Sequence, residues 1–248
     1  MSKFTKYAPL FANKAAEEAY YEKVLGIQSA NMLAYWPVWE ASGAVADNIE
    51  GTAARDGAYT GVDLGQPGIG DGNTCPWWDG ANDYCNIYST SLRDAFNGAE
   101  GTIACWAKVN SAAVWTDGLQ RNVMSFYVGG TENISIAKLA TANTLYWVYK
   151  AGGVSLSRTS TAYNLITWLH LAMNWSQSSD IVRCYANGVQ VGADMTGLGV
   201  WADVLQPLST VIGSGNKTPQ FVWHGWLAHV PVWSTPLTGA QITDLATV

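Results

Sequence analysis

The sequence predicts an all-β protein: a two-sheet antiparallel sandwich of the jelly-roll type, with an amphipathic helix near the N-terminus and a short helix at the C-terminus. Three observations predict this fold class. From Leu33 onward, short β-rich runs alternate with turns rich in Gly, Asn and Asp. Asn187-Gly188 separates two such runs and is the strongest short-range signal of a β-hairpin. The 248 residues, 48% of them hydrophobic, are enough to bury the core of one all-β domain.

The first element is a helical arm, which we predict over residues 1–30, ahead of a single domain over residues 31–248. Asn13 is a candidate N-cap, and Gly26 is a natural helix stop. The apolar residues at helical spacing are Ala16, Tyr20, Val24 and Leu25. Such an amphipathic arm has to lay one face on its own domain or on a neighbour.

The strands come next, because the hydrophobic period changes to two. The predicted strands cover residues 33–39, 75–78, 84–88, 102–109, 122–128, 134–138, 145–150, 154–158, 168–175, 181–186, 189–192, 210–213 and 225–233. Gly129-Gly130 and Gly152-Gly153 mark further reversals. Many short strands at this spacing are typical of a sandwich or jelly roll.

The last element is a helix with a capping box and a hydrophobic staple. Thr238 is the predicted cap, and Gln241, three residues later, is expected to reach back to it. Leu237 is expected to pack on Ile242, which fixes the angle at which the chain enters the helix.

Charge and hydropathy exclude several classes of partner. The chain has 13 basic and 19 acidic residues, a net charge of -6, which argues against binding to nucleic acid or to an anionic membrane surface. No run reaches the roughly 18 apolar residues that a membrane helix needs. The N-terminus lacks the pattern of a secretory signal peptide. We therefore expect a protein that acts inside the cell or leaves it by a signal-peptide-independent route.

The four cysteines predict neither a zinc site nor a disulfide framework. Cys75, Cys85, Cys105 and Cys184 form no CxxC pair. We predict four reduced and mostly buried thiols. The sequence leaves open that Cys75 and Cys85 face each other across neighbouring strands.

A series of short motifs carries a family resemblance. In order, these are LAYWP at 33–37, EASG at 40–43, DGAYTG at 56–61, DGANDY at 79–84, GTIACW at 101–106, WLHLA at 168–172, YANG at 185–188 and HGWLAHV at 224–230. Together they resemble LamG-like jelly-roll domains of the concanavalin A-like lectin/glucanase superfamily, over about residues 20–246. The resemblance implies two sheets packed face to face, one of them concave. It also places Trp36, Trp106 and Trp233 at inward-facing core positions.

The same resemblance implies a non-enzymatic virion protein, of the capsid-decoration or tail-fibre type, that contacts host glycans. The expected partners are further copies of the chain and other virion proteins, and the expected location is the virion surface. Two alternatives stay open: a secreted or cell-surface carbohydrate-binding lectin module, and a degenerate glycoside hydrolase. Hydrolysis needs a pair of carboxylates, and the chain has no ExDxxE strand. We therefore predict no catalytic residues.

Candidate binding residues come from the excess of aromatic side chains, since the chain has 13 Trp. A flat indole packs on the apolar face of a pyranose, and Trp is equally enriched at subunit interfaces. The Trp residues outside the family's core pattern are Trp39, Trp77, Trp78, Trp115, Trp201 and Trp223.

The one cofactor that the sequence suggests is calcium, which relatives of this fold hold at the sheet rim. Calcium takes six to eight oxygen ligands. The candidate donors are Asp47, Asp79 and Asp83, each of which is also a natural turn former. No cofactor is required by the predicted role.

Overall fold

The computed structural model describes residues 19–248, and in that part of the chain two antiparallel sheets form a sandwich. Strands and helices are numbered in chain order. Sheet A has nine strands: β1 (Met32–Trp36), β4 (Asp63–Pro67), β5 (Thr74–Asp79), β7 (Glu100–Val109), β12 (Leu169–Ser176), β13 (Ile181–Ala186), β14 (Val189–Gln190), β16 (His224–Ala228) and β17 (Val230–Trp233). Sheet B has eight: β2 (Val45–Ala46), β3 (Gly57–Thr60), β6 (Tyr84–Asn86), β8 (Arg121–Tyr127), β9 (Asn133–Lys138), β10 (Thr144–Ala151), β11 (Val154–Ala162) and β15 (Thr210–Ile212). The helices are α1 (Tyr20–Gly26), α2 (Thr90–Ala95) and α3 (Gly239–Leu245).

The longest strand of sheet A, β7, is central, whereas the longest strand of sheet B, β11, forms one edge. Sheet A runs β14-β13-β12-β7-β16-β5-β4, and β17 joins β1 to β7. Sheet B runs β11-β10-β9-β8-β15-β6-β3-β2. The predicted all-β sandwich with a helix near each end is confirmed.

Several elements differ from the sequence prediction. Strands β2, β3 and β4 and helix α2 were not predicted, because each is short and carries few apolar residues. The one sequence signal for helix α2 is its N-cap, Ser89. The Ser89 hydroxyl accepts a hydrogen bond from the Leu92 N–H at 3.0 Å. The run predicted at 225–233 is two strands, since His229 between them has a φ of 51° and interrupts the pleat.

The two terminal helix predictions can be checked to different extents, because the described residues begin at residue 19. Helix α1 ends at Gly26 as expected, whereas Asn13 and Ala16 lie outside the described residues. Helix α3 begins after Thr238 with the predicted capping box, in which the Thr238 hydroxyl accepts from the Gln241 N–H and the Gln241 amide oxygen accepts from the Thr238 N–H. The predicted capping box is therefore confirmed, and Leu237 and Ile242 are both buried in one apolar cluster.

The main core lies between the two sheets and follows from alternation along each strand. On β8 and β9, Met124, Phe126, Ile134 and Ile136 point inward and are fully buried. Trp36 belongs to this core, as the resemblance implies. Burying large apolar side chains of this kind stabilises a fold by about 1.5–3 kcal/mol each.

A second apolar cluster covers the outer face of sheet A, which we call the helix-covered face. It consists of side chains from β1, β5, β7, β12, β13, β16 and β17 beneath helices α1 and α3. Tyr20 on α1 donates its hydroxyl to the Leu245 carbonyl on α3 at 2.7 Å, which joins the two helices. Trp106 and Trp233 are buried here rather than between the sheets, which corrects their predicted inward direction.

The cysteines are all free and buried in the described residues, as predicted. Cys75 lies on β5 in the helix-covered cluster, and Cys85 lies on β6 in the main core. The two are therefore on different sheets and do not face each other across neighbouring strands. Burial raises the pKa of the Cys75 thiol to about 12, so it stays protonated at neutral pH.

Candidate functional site

The outer face of sheet B, which we call the groove face, is polar, and no helix of residues 19–248 covers it. Three cross-strand rows cross it. They are Asn122, Ala137, Tyr146 and Thr159; Val211, Ser125, Ser135, Val148 and Ser157; and Tyr127, Asn133, Lys150 and Ser155. Side chains alternate along each strand, so these residues point away from the core that the intervening residues build.

The groove exists because small side chains occupy the middle of this face and large ones surround them. Ser125 and Ser135 form a floor across β8 and β9. Tyr127 and Tyr146 rise at its borders. The resulting cavity has a volume of about 340 Å³.

The loop of residues 213–222 forms the remaining wall. Ser214 holds its shape, because the Ser214 hydroxyl lies 2.9 Å from the Asn216 carbonyl oxygen and 3.0 Å from the Gln220 carbonyl oxygen. The loop is fixed to the sheet where the Asn122 N–H donates to the Phe221 carbonyl at 2.6 Å. This anchoring places the Phe221 ring at the mouth of the groove.

The groove combines exposed aromatic rings with uncharged hydrogen-bonding groups. Tyr127 is 44% exposed and Phe221 is 48% exposed. The polar lining residues are Gln120, Asn122, Ser125, Asn133, Ser135, Asn216 and Gln220. The amide oxygens of Asn133 and Asn216 have no hydrogen-bond partner in the described structure. None of the twelve lining residues carries a charge.

An ionic cluster fixes one end of the groove without lining it with free charge. Asp117 accepts hydrogen bonds at 2.6 Å from both Lys138 Nζ and Arg121 Nε. Lys138 is fully buried and also donates to the Leu119 carbonyl at 2.9 Å. Burial opposes ionisation of Asp117, but the hydrogen bonds from Lys138, the Leu119 N–H and Arg121 together lower its pKa.

Three of the six Trp candidates are buried in the fold, so they are not available for contact at the surface. Trp78 and Trp223 lie in the main core, and Trp115, also there, donates its indole N–H to the Leu165 carbonyl at 2.7 Å. The alternation argument for the adjacent pair at 77 and 78 holds, since Trp78 points inward and Trp77 outward. Sequence alone could not place Trp115 and Trp223, because loop residues have no periodicity to analyse.

The other three Trp candidates are half-buried and lie away from the groove. Trp39 packs edge-on against Tyr21 in the helix-covered cluster, at a centroid distance of 5.4 Å. Trp77 lies on the outer side of β5, edge-on to His224 at 6.1 Å. Trp201 donates its indole N–H to the Asp203 carbonyl at 2.6 Å. A binding or interface role for these three remains a prediction.

The calcium candidates do not form one cluster. The Asp79 carboxylate accepts the N–H groups of Ala81 and Asn82, and Asp83 in turn accepts the Asp79 N–H at 2.8 Å. Asp47 lies elsewhere, with its N–H on a Glu40 carboxylate oxygen. Among residues 19–248, no group of three or more His, Cys, Asp or Glu side chains is placed to hold a metal ion.

His229 has partners that the sequence did not reveal. Its Nε2 lies 3.0 Å from an Asp71 carboxylate oxygen, and its Nδ1 lies 2.5 Å from the Tyr35 hydroxyl. A neutral ring protonated on Nε2 satisfies both contacts, with Tyr35 as the second donor. All three side chains are buried in the helix-covered cluster or beside it, so this arrangement holds the loop of residues 68–73 between β4 and β5 rather than a substrate.

The other two histidines differ in exposure, since His170 is buried and His224 is half-buried. His170 packs edge-on against Trp106, and burial, with the nearby charges of Lys23 and His229, lowers its pKa to about 3. Burial and the charge of Arg121 lower the pKa of His224 as well. Neither is paired with a nucleophile in the described structure.

Sequence reasoning missed the groove residues because it searched for Trp and for charge. A signal was present in the strands at 122–128 and 134–138. In the first, apolar residues alternate with Asn, Ser and Tyr, and in the second, Ile134 and Ile136 alternate with Ser135 and Ala137, so neither outward row carries Lys or Glu. An outward row of small neutral polar side chains is the pattern that produces a groove of this kind.

Comparison with known proteins places the fold in a family. The model of Laminin_G_3, described as Concanavalin A-like lectin/glucanases superfamily, matches residues 79–243, about two thirds of the chain. The chain belongs to this superfamily, and the predicted LamG-like resemblance is confirmed. No curated protein matches the sequence significantly. No helix of residues 19–248 is long and apolar enough to cross a membrane.

Solved structures share the fold at low identity. A mutant Trypanosoma rangeli sialidase displaying trans-sialidase activity matches with a TM-score of 0.64 and 11% identity, over 90% of this chain and 34% of that one. Domain 4 of an extracellular arabinanase from Geobacillus stearothermophilus, in complex with arabinotriose, matches with a TM-score of 0.57 and 15% identity, over 88% and 98%. The chain thus spans about a third of the sialidase and nearly the whole arabinanase domain.

Proposed function

We propose that this protein is a non-catalytic carbohydrate-binding module and that the groove face holds the saccharide. The observation that carries this proposal is the lining of the groove. Aromatic rings at its borders suit the apolar faces of sugar rings, and amides and hydroxyls on its floor suit sugar hydroxyls. Tyr127 and Phe221 supply the most exposed rings.

The same lining argues against hydrolysis at this site. Glycosidases place two carboxyl groups on either side of the scissile bond, about 5–9.5 Å apart. No Asp or Glu is among the residues that line the groove. The nearest acidic side chain in sequence, Glu132, is buried and accepts the Gly152 N–H at 3.2 Å. The degenerate hydrolase therefore lacks a supporting observation in the groove.

The more specific role implied by family resemblance, a virion surface protein that assembles with itself and with other virion proteins, stays a prediction. The location of the protein, on a virion or outside the cell, also stays a prediction. Light scattering on the purified chain, with and without EDTA, tests the homo-oligomer. A symmetric oligomer that EDTA leaves intact favours the assembly subunit, and a monomer argues against it.

A glycan array tests carbohydrate binding, with arabinotriose included because the similar arabinanase domain was solved with it. Two variants make the test specific. Ser135→Trp fills the groove floor, whereas Ser157→Trp adds the same side chain to the same cross-strand row on the exposed edge strand β11. We expect Ser135→Trp to abolish binding and Ser157→Trp to retain it. Equal losses, or binding that survives Ser135→Trp, would place the site elsewhere.

A further inference from the structure

The groove is long as well as polar. It follows β8 from Asn122, beside Phe221, to Tyr127 at the other end of the strand. Five residue steps of extended strand span about 17 Å. That length is several times the width of a sugar ring, so one ring would leave most of the groove unfilled.

A second depression continues the groove beyond Phe221. It has a volume of about 350 Å³ and shares Gln120 and Phe221 with the groove as a common border. Its far side is formed by Ala81 and Ala140, which are small, and by Leu119, which is largely exposed. The Phe221 ring therefore lies between two hollows and is exposed to both.

The one charged side chain in this second depression is paired inside the protein. Arg121 is its only charged lining residue in the described structure. The Arg121 guanidinium donates to Asp117, to the Gly80 carbonyl at 3.2 Å and to the Val222 carbonyl at 2.8 Å. These bonds use three of the five guanidinium N–H donors, and the Arg121 side chain is only 7% exposed, so it offers little surface to a ligand carboxylate. The net charge of -6 for the whole chain further disfavours a polyanionic ligand.

We infer that the ligand is an extended neutral oligosaccharide, which lies along β8 and crosses Phe221 into the second depression. This inference rests on the proposed carbohydrate-binding function and specifies its substrate class. Uncharged sugar rings match the uncharged lining of the groove, and the two joined hollows match a chain rather than a single terminal sugar.

Titration calorimetry with neutral gluco-, xylo-, manno- and galacto-oligosaccharides, from monosaccharide to hexasaccharide, tests the inference. We expect affinity to rise with chain length by at least about tenfold, equivalent to about 1.4 kcal/mol. Matched oligosaccharides containing uronic acids are expected to bind more weakly. Equal affinity for a monosaccharide and its longer homologues, or preference for the acidic series, would overturn it.

Variants at the second depression separate this inference from the proposed function. Ala140→Trp fills the second depression and leaves the groove floor untouched, so it should remove the gain from chain length and spare the affinity for short sugars. Ala81→Trp, in an exposed turn on the same wall, repeats the test if the first variant folds poorly. If long sugars bind both variants normally, the second depression is not used. If no glycan of any kind binds the parent chain, the proposed function itself fails.

Discussion

The two outer faces of the sandwich differ in what covers them. On sheet A the strands present large aromatic side chains, and helices α1 and α3 seal them, so that Trp106 is only 7% exposed. On sheet B the strands present Ser, Asn and Ala, no helix in the described part of the chain covers them, and Tyr127 at the border is 44% exposed. The same fold thus uses one face for stability and leaves the other open to a ligand.

Truncating a side chain on the helix-covered face should have the largest effect on stability. Trp106 donates its indole N–H to the Tyr20 hydroxyl at 2.8 Å, and its ring packs beneath α1. We expect Trp106→Ala to lower the free energy of unfolding by about 3–5 kcal/mol, through lost burial and the cavity left behind. Urea denaturation measures this change. A loss below about 1 kcal/mol would show that α1 does not seal this face.

The ionic cluster beside the groove should be nearly as sensitive, because it contains a buried charge. Asp117→Asn leaves Lys138, which is fully buried, without its carboxylate. Breaking a buried pair in this way costs about 3–5 kcal/mol. Asp94→Asn is a matched control, since its pair with Arg93 is exposed, and we expect no measurable change there.

The pH dependence of Asp117 has a definite sign. Its pKa is lowered in the folded state relative to an unfolded value of about 3.9. The stabilisation is therefore complete above about pH 4 and is lost as pH falls through the folded pKa. Unfolding free energies measured down to about pH 2 should show this loss in the parent chain and a shallower acid limb in Asp117→Asn. Parallel acid limbs would contradict the assignment.

The sequence predicted the parts of this comparison that depend on local periodicity. Asn187-Gly188 forms the predicted hairpin turn between β13 and β14, and Thr238 caps α3. Which face the helices cover could not be predicted, because it depends on contacts such as that between Tyr20 and Leu245, 225 residues apart. The neutral polar row on β8 was visible in the sequence, but the shape of the groove could not be predicted, since its loop wall and its floor come from distant segments.

His170 gives the helix-covered face its own pH signature. Its pKa is lowered to about 3 by burial and by Lys23 and His229, against about 6.5 in an unfolded chain. The unfolded state therefore binds the proton first, and stability falls as pH drops below about 6.5. Between about pH 7 and about pH 5, protonation of His170 in the unfolded state alone should lower the free energy of unfolding by about 2 kcal/mol. We expect His170→Leu to remove that slope in denaturation experiments; an unchanged slope would mean that the site is hydrated.

On the groove face the corresponding truncation should affect binding rather than stability. Tyr127→Ala removes a largely exposed ring, so its unfolding free energy should stay within about 0.5 kcal/mol of the parent. Loss of a stacked aromatic should weaken saccharide binding by about 0.5–1.5 kcal/mol, or roughly twofold to twelvefold. Scanning calorimetry measures the stability of the variant, and titration calorimetry on the same preparation measures its affinity for the saccharide. If the variant is destabilised but binds saccharide normally, Tyr127 contributes to stability rather than to binding, and the prediction is wrong.

Calcium should have the smallest effect, because Asp79 and Asp83 belong to neither face. They lie in the turn where the chain passes from β5 in sheet A to β6 in sheet B, and each accepts backbone N–H groups of that turn. Burial raises the pKa of Asp83, and the charge of Asp79 adds to the rise. Added calcium would relieve that repulsion but must compete with the turn's own hydrogen bonds. We expect calcium at about 1 mM to stabilise the fold by less than about 0.4 kcal/mol, the value reached when its concentration equals its Kd. A larger rise in melting temperature, reversed by EDTA and absent in Asp79→Asn, would instead establish a calcium site at the junction of the sheets.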